Sequence, residues 1–184
     1  MPRAALSPDA VVDIALRLVD EDSPTALTLS AVAGRAGVAT PSLYKHVRNL
    51  AELRDLMSAR IMNDIADRVG RAVLGRSADE AIRALMLAWR AYAQDHPHRY
   101  AVLVHRPAPR TAAAGQRLLD IVSATLRAYG MEDSAAVHAT RCLRAALHGF
   151  AVLEAEGAFG LPEKLEESYE LLIHMVIAGL RSPR

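Results

Sequence analysis

Residues 27–56 read LTLSAVAGRAGVATPSLYKHVRNLAELRDL, and this stretch decides the fold of the N-terminal part of the chain. Thr28 can cap a short helix through its hydroxyl, and Gly37 stands where the chain must leave that helix with a positive φ. Thr40 and Pro41 predict the start of another short helix by cap-plus-proline reasoning. Two short helices joined by a tight turn form a helix-turn-helix, whose second helix enters the major groove of DNA. We therefore predict a DNA-reading helix-turn-helix between about Thr28 and Val47.

The charge of this segment supports the same prediction. The whole chain has a formal net charge of +1, which is too small for a general attraction to nucleic acid. Yet no acidic residue occurs from Ser23 to Ala51, whereas Arg35, Lys45 and Arg48 are basic. Because phosphates repel carboxylates and attract basic groups, this acid-free stretch favours a DNA interface.

The candidate DNA-contacting residues lie in and beside the two short helices. Their side chains can reach phosphates, base edges or thymine methyl groups. The alternative interpretation is that the second helix is only a solvated polar segment. The glycine turn before it, and the capping-box-like pair Asn49 and Glu52 after it, favour DNA contact. The predicted DNA-contacting residues are Thr28, Arg35, Thr40, Pro41, Ser42, Tyr44, Lys45, His46 and Arg48.

The remainder of the chain also has helical periodicity. Ala and Leu are abundant and only 4% of the residues are aromatic, a composition that favours helices. No run alternates with period two, so no strand is predicted. The predicted helices cover about 8–22, 28–36, 40–47, 50–74, 78–95, 97–105, 111–129, 134–156 and 162–180. The predicted architecture is all-α, with a three-helix DNA-binding head at 1–50 and a helical bundle core at 51–184 for ligand binding and dimerisation.

The helix-turn-helix segment resembles that of the TetR family of transcriptional regulators. The resemblance implies that residues 36–38 form the turn and that Pro41 and Tyr44 contact DNA at the start and middle of the recognition helix. Leu50 departs from the family pattern, because many members have a lysine there that grips a phosphate. Lys45 or Arg48 is expected to replace it. The residues that carry the resemblance are Leu29, Val32-Ala33, Ala36-Gly37-Val38, Ser42-Leu43-Tyr44, His46-Val47 and Leu53.

The core resembles the variant of the TetR core domain called the WHG type. The matching stretches are residues 91–100, 147–150 and 160–162, although Leu147 stands where the type has its tryptophan. The resemblance implies a small-molecule pocket in the core and a homodimer formed by the last two long helices. The chain is therefore expected to be a ligand-responsive repressor that binds a palindromic DNA operator.

Two groups of residues are candidates for the ligand pocket. Polar groups on a helix that is expected to be buried need partners, and a bound ligand can be one. The alternative is ordinary core, in which aromatic rings pack and histidines bond to neighbouring side chains. The first group, in one half of the core, is Met86, Trp89, Tyr92, Tyr100 and His105, and the second, on a later helix, is His138, Arg141, Cys142 and His148.

The last helix carries an apolar stripe that predicts a dimer. The stripe is wider than packing within one subunit needs, and Leu171 and Met175 extend it sideways. Two helices from each subunit can form a four-helix interface. A dimer also suits DNA, because two recognition helices must reach successive major grooves. The predicted interface residues are Ala145, Gly149, Tyr169, Leu172, Ile173, Val176 and Leu180.

Other functional classes have little support in the sequence. No phosphate-binding, dinucleotide-binding or nucleophile-elbow motif occurs, so an enzyme is disfavoured and neither catalytic residues nor a cofactor are predicted. The histidines and Cys142 form no compact ligand set, so no metal is predicted. A single cysteine fits a reducing compartment, and neither a long apolar run nor a signal peptide is found, so we expect a cytoplasmic protein. A helical adaptor that binds other proteins through its last helix is the main alternative.

Overall fold

The computed structural model describes residues 6–103 and 108–182, and this part of the chain is helical without any strand. The all-α prediction is therefore confirmed. Three short 3-10 segments cover Pro24–Ala26, Pro109–Thr111 and Arg127–Tyr129. The α-helices of the described residues are α1 (Pro8–Glu21), α2 (Leu29–Ala36), α3 (Thr40–Leu43), α4 (Leu50–Val73), α5 (Ala78–Asp95), α6 (Pro97–Ala101), α7 (Ala112–Leu126), α8 (Asp133–Ala155) and α9 (Leu165–Arg181).

The first two helices begin with the caps that the sequence predicts. The Ser7 hydroxyl accepts a hydrogen bond from the Ala10 N–H at 3.1 Å. The Thr28 hydroxyl accepts one from the Ala31 N–H, also at 3.1 Å. Each bond satisfies an amide that has no acceptor within its own helix, so these two side chains fix where α1 and α2 start.

Helix α3 is shorter than predicted and starts differently. Its N-cap is Ala39 rather than Thr40, and it ends at Leu43 instead of continuing to Val47. The Asn49 side chain accepts a hydrogen bond from the Glu52 N–H at 2.9 Å and so caps α4. After Leu43 the chain continues as a turn, in which the His46 and Val47 N–H groups both donate to the Leu43 carbonyl, at 2.8 and 2.9 Å.

The beginning of α9 also differs from the prediction. The helix starts at Leu165, with Lys164 as its N-cap, and not at Pro162. Glu166 and Glu167 lie in the first turn, where carboxylates stabilise the positive end of the helix dipole. The acidic pair therefore marks the start of this helix better than the proline does.

The chain divides into two compact units, the first comprising residues 1–62 and 96–114 and the second residues 63–95 and 115–184. Helices α4 and α7 each contribute residues to both units. The predicted functional division between residues 50 and 51 does not coincide with this division of the packing. Assignment of DNA binding to 1–50, and of ligand binding and dimerisation to 51–184, stays a proposal.

In the first unit, α1 packs against α2 and α6. Val11, Ala15 and Val19 on α1 are fully buried. Helix α6 is held to α1 by polar contacts, because the Arg99 guanidinium donates to the Asp20 carboxylate at 2.6 to 2.8 Å. The unit therefore joins the predicted DNA-binding helices to a segment that lies much later in the sequence.

In the second unit, α5 packs against α8 and α9. Tyr169 on α9 is buried, and its hydroxyl donates a 2.7 Å hydrogen bond to the backbone carbonyl of Met86 on α5. Leu143 and Leu147 on α8 and Ile173 on α9 are also buried in this core. In the part of the chain that is described, no helix combines the length and apolar character that a membrane span needs.

Candidate nucleic-acid interface and core sites

The turn between α2 and α3 has the conformation that the sequence predicts. Gly37 has φ 66° and ψ 33°, in the left-handed region that residues with a Cβ rarely adopt. The Val38 N–H donates to the Ala33 carbonyl and the Gly37 N–H to the Gly34 carbonyl, both at 3.1 Å. These bonds satisfy the last carbonyls of α2 and redirect the chain into α3.

Apolar side chains hold α2 and residues 40–47, called the α3 segment from here on, in the first unit. Val32, Ala33, Leu43 and Val47 are all buried. Tyr44, which is predicted to contact DNA, has a side chain that is 56% exposed. The helix ends at Leu43, and the turn that follows places Tyr44 on the outside.

Several predicted DNA-contacting residues share the exposed side of the α3 segment. Pro41, Tyr44 and Lys45 are exposed, whereas Thr40, Ser42 and His46 are partly exposed. Lys45 has no carboxylate partner among the described residues. Thr28 is exposed too, but its hydroxyl already caps α2. Residues 40–46 therefore offer donors and one uncompensated ammonium group to solvent.

The stretch that is free of acidic residues in the sequence is not free of them in space. The Arg35 guanidinium forms ion pairs with Glu21 and with Asp22, the latter at 3.1 Å. These contacts raise the pKa of Arg35, and the hydrogen bond that it donates to Glu21 contributes most. The carboxylates at the end of α1 thus offset the charge of Arg35, which makes it a weaker candidate for phosphate binding than Lys45.

Glu52, at the start of α4, likewise pairs with basic side chains. Its carboxylate is buried and accepts hydrogen bonds from the Arg48 N–H at 2.7 Å and from the Arg48 Nε at 3.1 Å. Its other oxygen accepts from the Arg110 guanidinium at 2.8 Å. The capping-box prediction is correct for Asn49, but Glu52 reaches the amide of Arg48 rather than that of Asn49. Arg48 is thereby held in place, although its side chain is 81% exposed.

The same contacts lower the pKa of Glu52 from 4.5 to about 2, the Arg48 backbone N–H being the largest cause and the Arg48 and Arg110 side chains following. A carboxyl whose pKa is lowered in the folded state stabilises that state above its unfolded pKa, and this contribution is lost as the pH falls through the folded pKa. For Glu52 that window runs from about pH 4.5 down to about pH 2.

We expect the Glu52→Gln variant to have a lower free energy of unfolding at pH 7 and a weaker decline of that energy between pH 4.5 and 2. Urea unfolding across this pH range measures both quantities. Glu163→Gln, at an exposed position, is the matched control and should follow the wild type. A Glu52→Gln curve that runs parallel to the wild-type curve through this window would contradict the assignment.

The first group of predicted ligand residues is divided between the two units. Met86, Trp89 and Tyr92 lie on α5 in the second unit and are buried. Tyr100 is also buried, but it belongs to the first unit, and His105 lies outside the described residues. The three α5 residues remain candidates for a ligand pocket in the core. Their burial agrees both with a pocket and with ordinary core packing.

The second group is not buried as predicted. His138, Arg141 and Cys142 on α8 are exposed, and His148 is partly buried. The buried face of α8 carries Ala139, Leu143, Leu147 and Ala151 instead. His138 and Cys142 lie four residues apart and therefore share one face of α8, but the sequence did not show that this face points away from the core.

The interface prediction needs a correction on α9. Tyr169, Ile173 and Leu180 are buried within their own subunit, where they form part of its core. Leu172 and Val176 are partly exposed, and on α8 Gly149 is partly exposed and Ala145 exposed. Leu171 and Met175, which the prediction placed at the side of the stripe, are 60% and 63% exposed. The outward apolar face of α9 is therefore centred on these two residues.

Sequence reasoning missed a buried charged cluster in the second unit. Arg90 on α5 is only 8% exposed, and its Nε donates to Glu154 on α8 at 2.7 Å. Its guanidinium also lies 5.5 Å from the ring centre of Phe150 and 4.8 Å from that of Tyr169, within range for cation–π attraction. Arg90 lies four residues after Met86 on the apolar face of α5, and this was the signal available in the sequence. Within residues 6–103 and 108–182, no three His, Cys, Asp or Glu side chains come together as a metal site.

Comparison with known proteins identifies the family. Residues 82–176 match the family model described as the tetracyclin repressor-like C-terminal domain. The uncharacterized HTH-type transcriptional regulator Rv0681 of Mycobacterium tuberculosis is 35% identical over 158 residues, which are 84% of this chain and 72% of that protein. The uncharacterized HTH-type transcriptional regulator YobS of Bacillus subtilis is 32% identical over 181 residues, which are 97% of this chain and 95% of that protein. This chain belongs to the TetR family.

The TetR-family fold extends over the described chain. A TetR variant of Acinetobacter baumannii, solved in complex with minocycline, has a TM-score of 0.76 and 21% identity, and the match covers 97% of this chain and 99% of that chain. At this identity the likeness concerns the fold alone. The prediction of a TetR-family transcriptional regulator that binds DNA through a helix-turn-helix is confirmed, and the WHG subtype of the core stays a prediction.

Proposed function

We propose that this TetR-family regulator binds a palindromic operator as a homodimer, through residues 40–46 of each subunit, and that it acts as a repressor. The observation that carries the proposal is the exposed side of the α3 segment. There Tyr44 and Lys45 are exposed in the turn that follows Leu43, and no described carboxylate offsets the charge of Lys45. Uncompensated charge and exposed donors are what phosphate and base contacts need.

The order of importance among the basic residues follows from their partners. Arg35 is bound to Glu21 and Asp22, and the Arg48 Nε is bound to Glu52. Binding of either residue to phosphate would compete with these carboxylates, whereas Lys45 has no such competitor among the described residues. Lys45 therefore replaces the phosphate-gripping lysine that many TetR members have at the position of Leu50.

A small molecule is proposed to control operator binding. The Acinetobacter baumannii neighbour was solved with minocycline, and the fold of this chain is similar to it. Met86, Trp89 and Tyr92 are the residues of α5 proposed to face such a ligand. A ligand that binds one dimer conformation better than another shifts the population toward it and changes operator affinity by the same differential free energy.

The DNA-binding role of Lys45 is tested with a duplex that the wild-type protein selects from a random pool. Lys45→Ala should weaken binding about tenfold and reduce the slope of log affinity against log salt by about 0.9, because one phosphate contact is lost. Leu50→Ala is the control and should change neither quantity much. Equal effects of the two substitutions, or an unchanged salt slope for Lys45→Ala, would count against the proposed interface.

A further inference from the structure

A groove of about 660 Å³ runs along the second unit between α7 and the first half of α8. Its volume lies within the range of small-molecule sites, about 300 to 1,000 Å³. Three arginines line it, namely Arg127 in the 3-10 segment after α7 and Arg141 and Arg144 on α8. Of the residues predicted from the sequence to bind a ligand, Arg141 lines this groove, while Met86, Trp89 and Tyr92 do not.

These arginines differ from most other described arginines of the same unit, although Arg71 and Arg76 also have no carboxylate partner among the described residues. Arg83, Arg90, Arg117 and Arg181 are each bound to a carboxylate. In the part of the chain that the structure describes, no carboxylate lies within ion-pair distance of Arg127, Arg141 or Arg144. Guanidinium groups that line one groove and have no protein partners create a local positive potential, and such groups bind carboxylates and phosphates with paired hydrogen bonds.

The carboxylates near the groove do not cancel this potential. Glu132 and Asp133 also line the groove, at the start of α8, so the lining contains three guanidinium groups and two carboxylates. The first turn of α8 has no side-chain cap, and its backbone amides add partial positive charge at the same end. The net positive charge of the lining therefore favours an anionic group, bound by Arg141 and Arg144 on α8.

The rest of the groove is apolar. Leu119 on α7 and Val137 on α8 are 45% and 49% exposed although they are large aliphatic residues, and Met131 lies beside them. Exposed aliphatic surface next to guanidinium groups suits a molecule with one acidic head and an apolar body. We propose that this groove binds an amphipathic organic anion, at a site separate from the α5 residues assigned to the core ligand.

The probe for the test is 1-anilinonaphthalene-8-sulfonate, an amphipathic anion whose fluorescence rises in apolar surroundings, with decanoate as competitor. Arg144→Gln and Arg141→Gln should each raise the dissociation constant about tenfold, because each removes a charged hydrogen-bond donor. Arg71→Gln, at an exposed arginine outside the groove with no described carboxylate partner, is the control for net charge and should bind as the wild type does. Decanoate should displace the probe, and 1-decanol, which lacks the negative charge, should displace it far less.

Three results would overturn the proposal. They are unchanged binding in both groove variants, equal weakening in Arg71→Gln and Arg144→Gln, and equal competition by decanoate and 1-decanol. The measurement uses the full chain without DNA, so its outcome is independent of whether the proposed operator binding is correct. Unfolding midpoints of the variants, which should match the wild type, exclude binding of the probe to unfolded protein.

Discussion

Replacement of both Leu171 and Met175 with glutamate is expected to convert the proposed dimer into a monomer and to weaken operator binding about 100-fold or more. The two residues lie four apart on α9, hence on one face, and are 60% and 63% exposed in the single chain. Beside them, Leu172 and Val176 are partly exposed. Apolar surface of this kind is stabilised when a second copy covers it, and facing glutamates would repel each other.

The expected loss of operator affinity arises because a dimer binds both half-sites of the operator at once. A dimer that holds one half-site presents its second recognition segment to the other at high effective concentration, which multiplies affinity by about 10² to 10⁴. A monomer loses this factor, while each remaining recognition segment is unchanged. The loss should therefore be far smaller on a duplex that contains a single half-site.

Sedimentation velocity and DNA titration measure the two effects. Leu74→Glu is the control for an exposed leucine replaced with glutamate outside α9, because Leu74 is 80% exposed just after the end of α4. This control should stay dimeric and bind the operator as the wild type does. A wild-type protein that is itself monomeric at the concentrations where it binds the operator would contradict the dimer proposal and favour a role of α9 in binding other proteins.

Replacement of Gly37 with valine is expected to disrupt the helix-turn-helix. The residue has φ 66°, where a β-branched side chain is strained by about 1 to 3 kcal/mol. Relief of this strain moves α3 relative to α2, and Tyr44 and Lys45 then no longer align with the major groove of the DNA. We expect operator affinity to fall more than tenfold, together with a lower free energy of unfolding.

Two substitutions control for the loss of a glycine. Gly37→Asn should retain most of the affinity, because asparagine tolerates the left-handed conformation better than other residues with a Cβ. Gly34→Ala should raise the free energy of unfolding by up to about 1 kcal/mol, because this position is helical and no atom lies within 4 Å of an added Cβ. If Gly37→Val bound the operator with wild-type affinity, the turn conformation would not position the DNA-reading residues.

Local features of the fold could be predicted because neighbouring residues determine them. The Ser7 and Thr28 caps depend on amides three residues away, and the turn at Gly37 depends on one residue without a Cβ. The limits of α5 at Ala78 and Asp95 also agree with the predicted range 78–95. Helix α3 was predicted too long, because Val47 is buried as a helix position would be, although it lies beyond the turn at residues 44–46.

Features that depend on distant residues could not be predicted. An acid-free stretch of sequence says nothing about Glu21 and Asp22, which the packing of α1 on α2 brings to Arg35. Likewise, the pairing of Arg110 with Glu52 joins residues 58 positions apart. Such contacts decide which basic residues have a carboxylate that competes with phosphate.

The apolar faces of α8 and α9 show the same limit. Periodicity predicted that α9 has a broad apolar stripe, and the stripe is present. It does not tell which side of the stripe packs on α5, and the structure places Tyr169 and Ile173 there and leaves Leu171 and Met175 outside. On α8 the exposed positions of His138 and Cys142 were mistaken for buried ones for the same reason.

The central claim is that the exposed side of the α3 segment reads the operator sequence. The most direct test is the ratio of affinities for the selected duplex and for a scrambled duplex of equal length, at one salt concentration, in the wild type and in the Tyr44→Ala, Lys45→Ala double variant. Specific binding by such proteins exceeds non-specific binding by about 10³ or more. We expect a ratio of that size for the wild type and a fall of at least tenfold in the variant, with the unfolding midpoint unchanged. A variant that kept the wild-type ratio would show that sequence is read elsewhere on the protein.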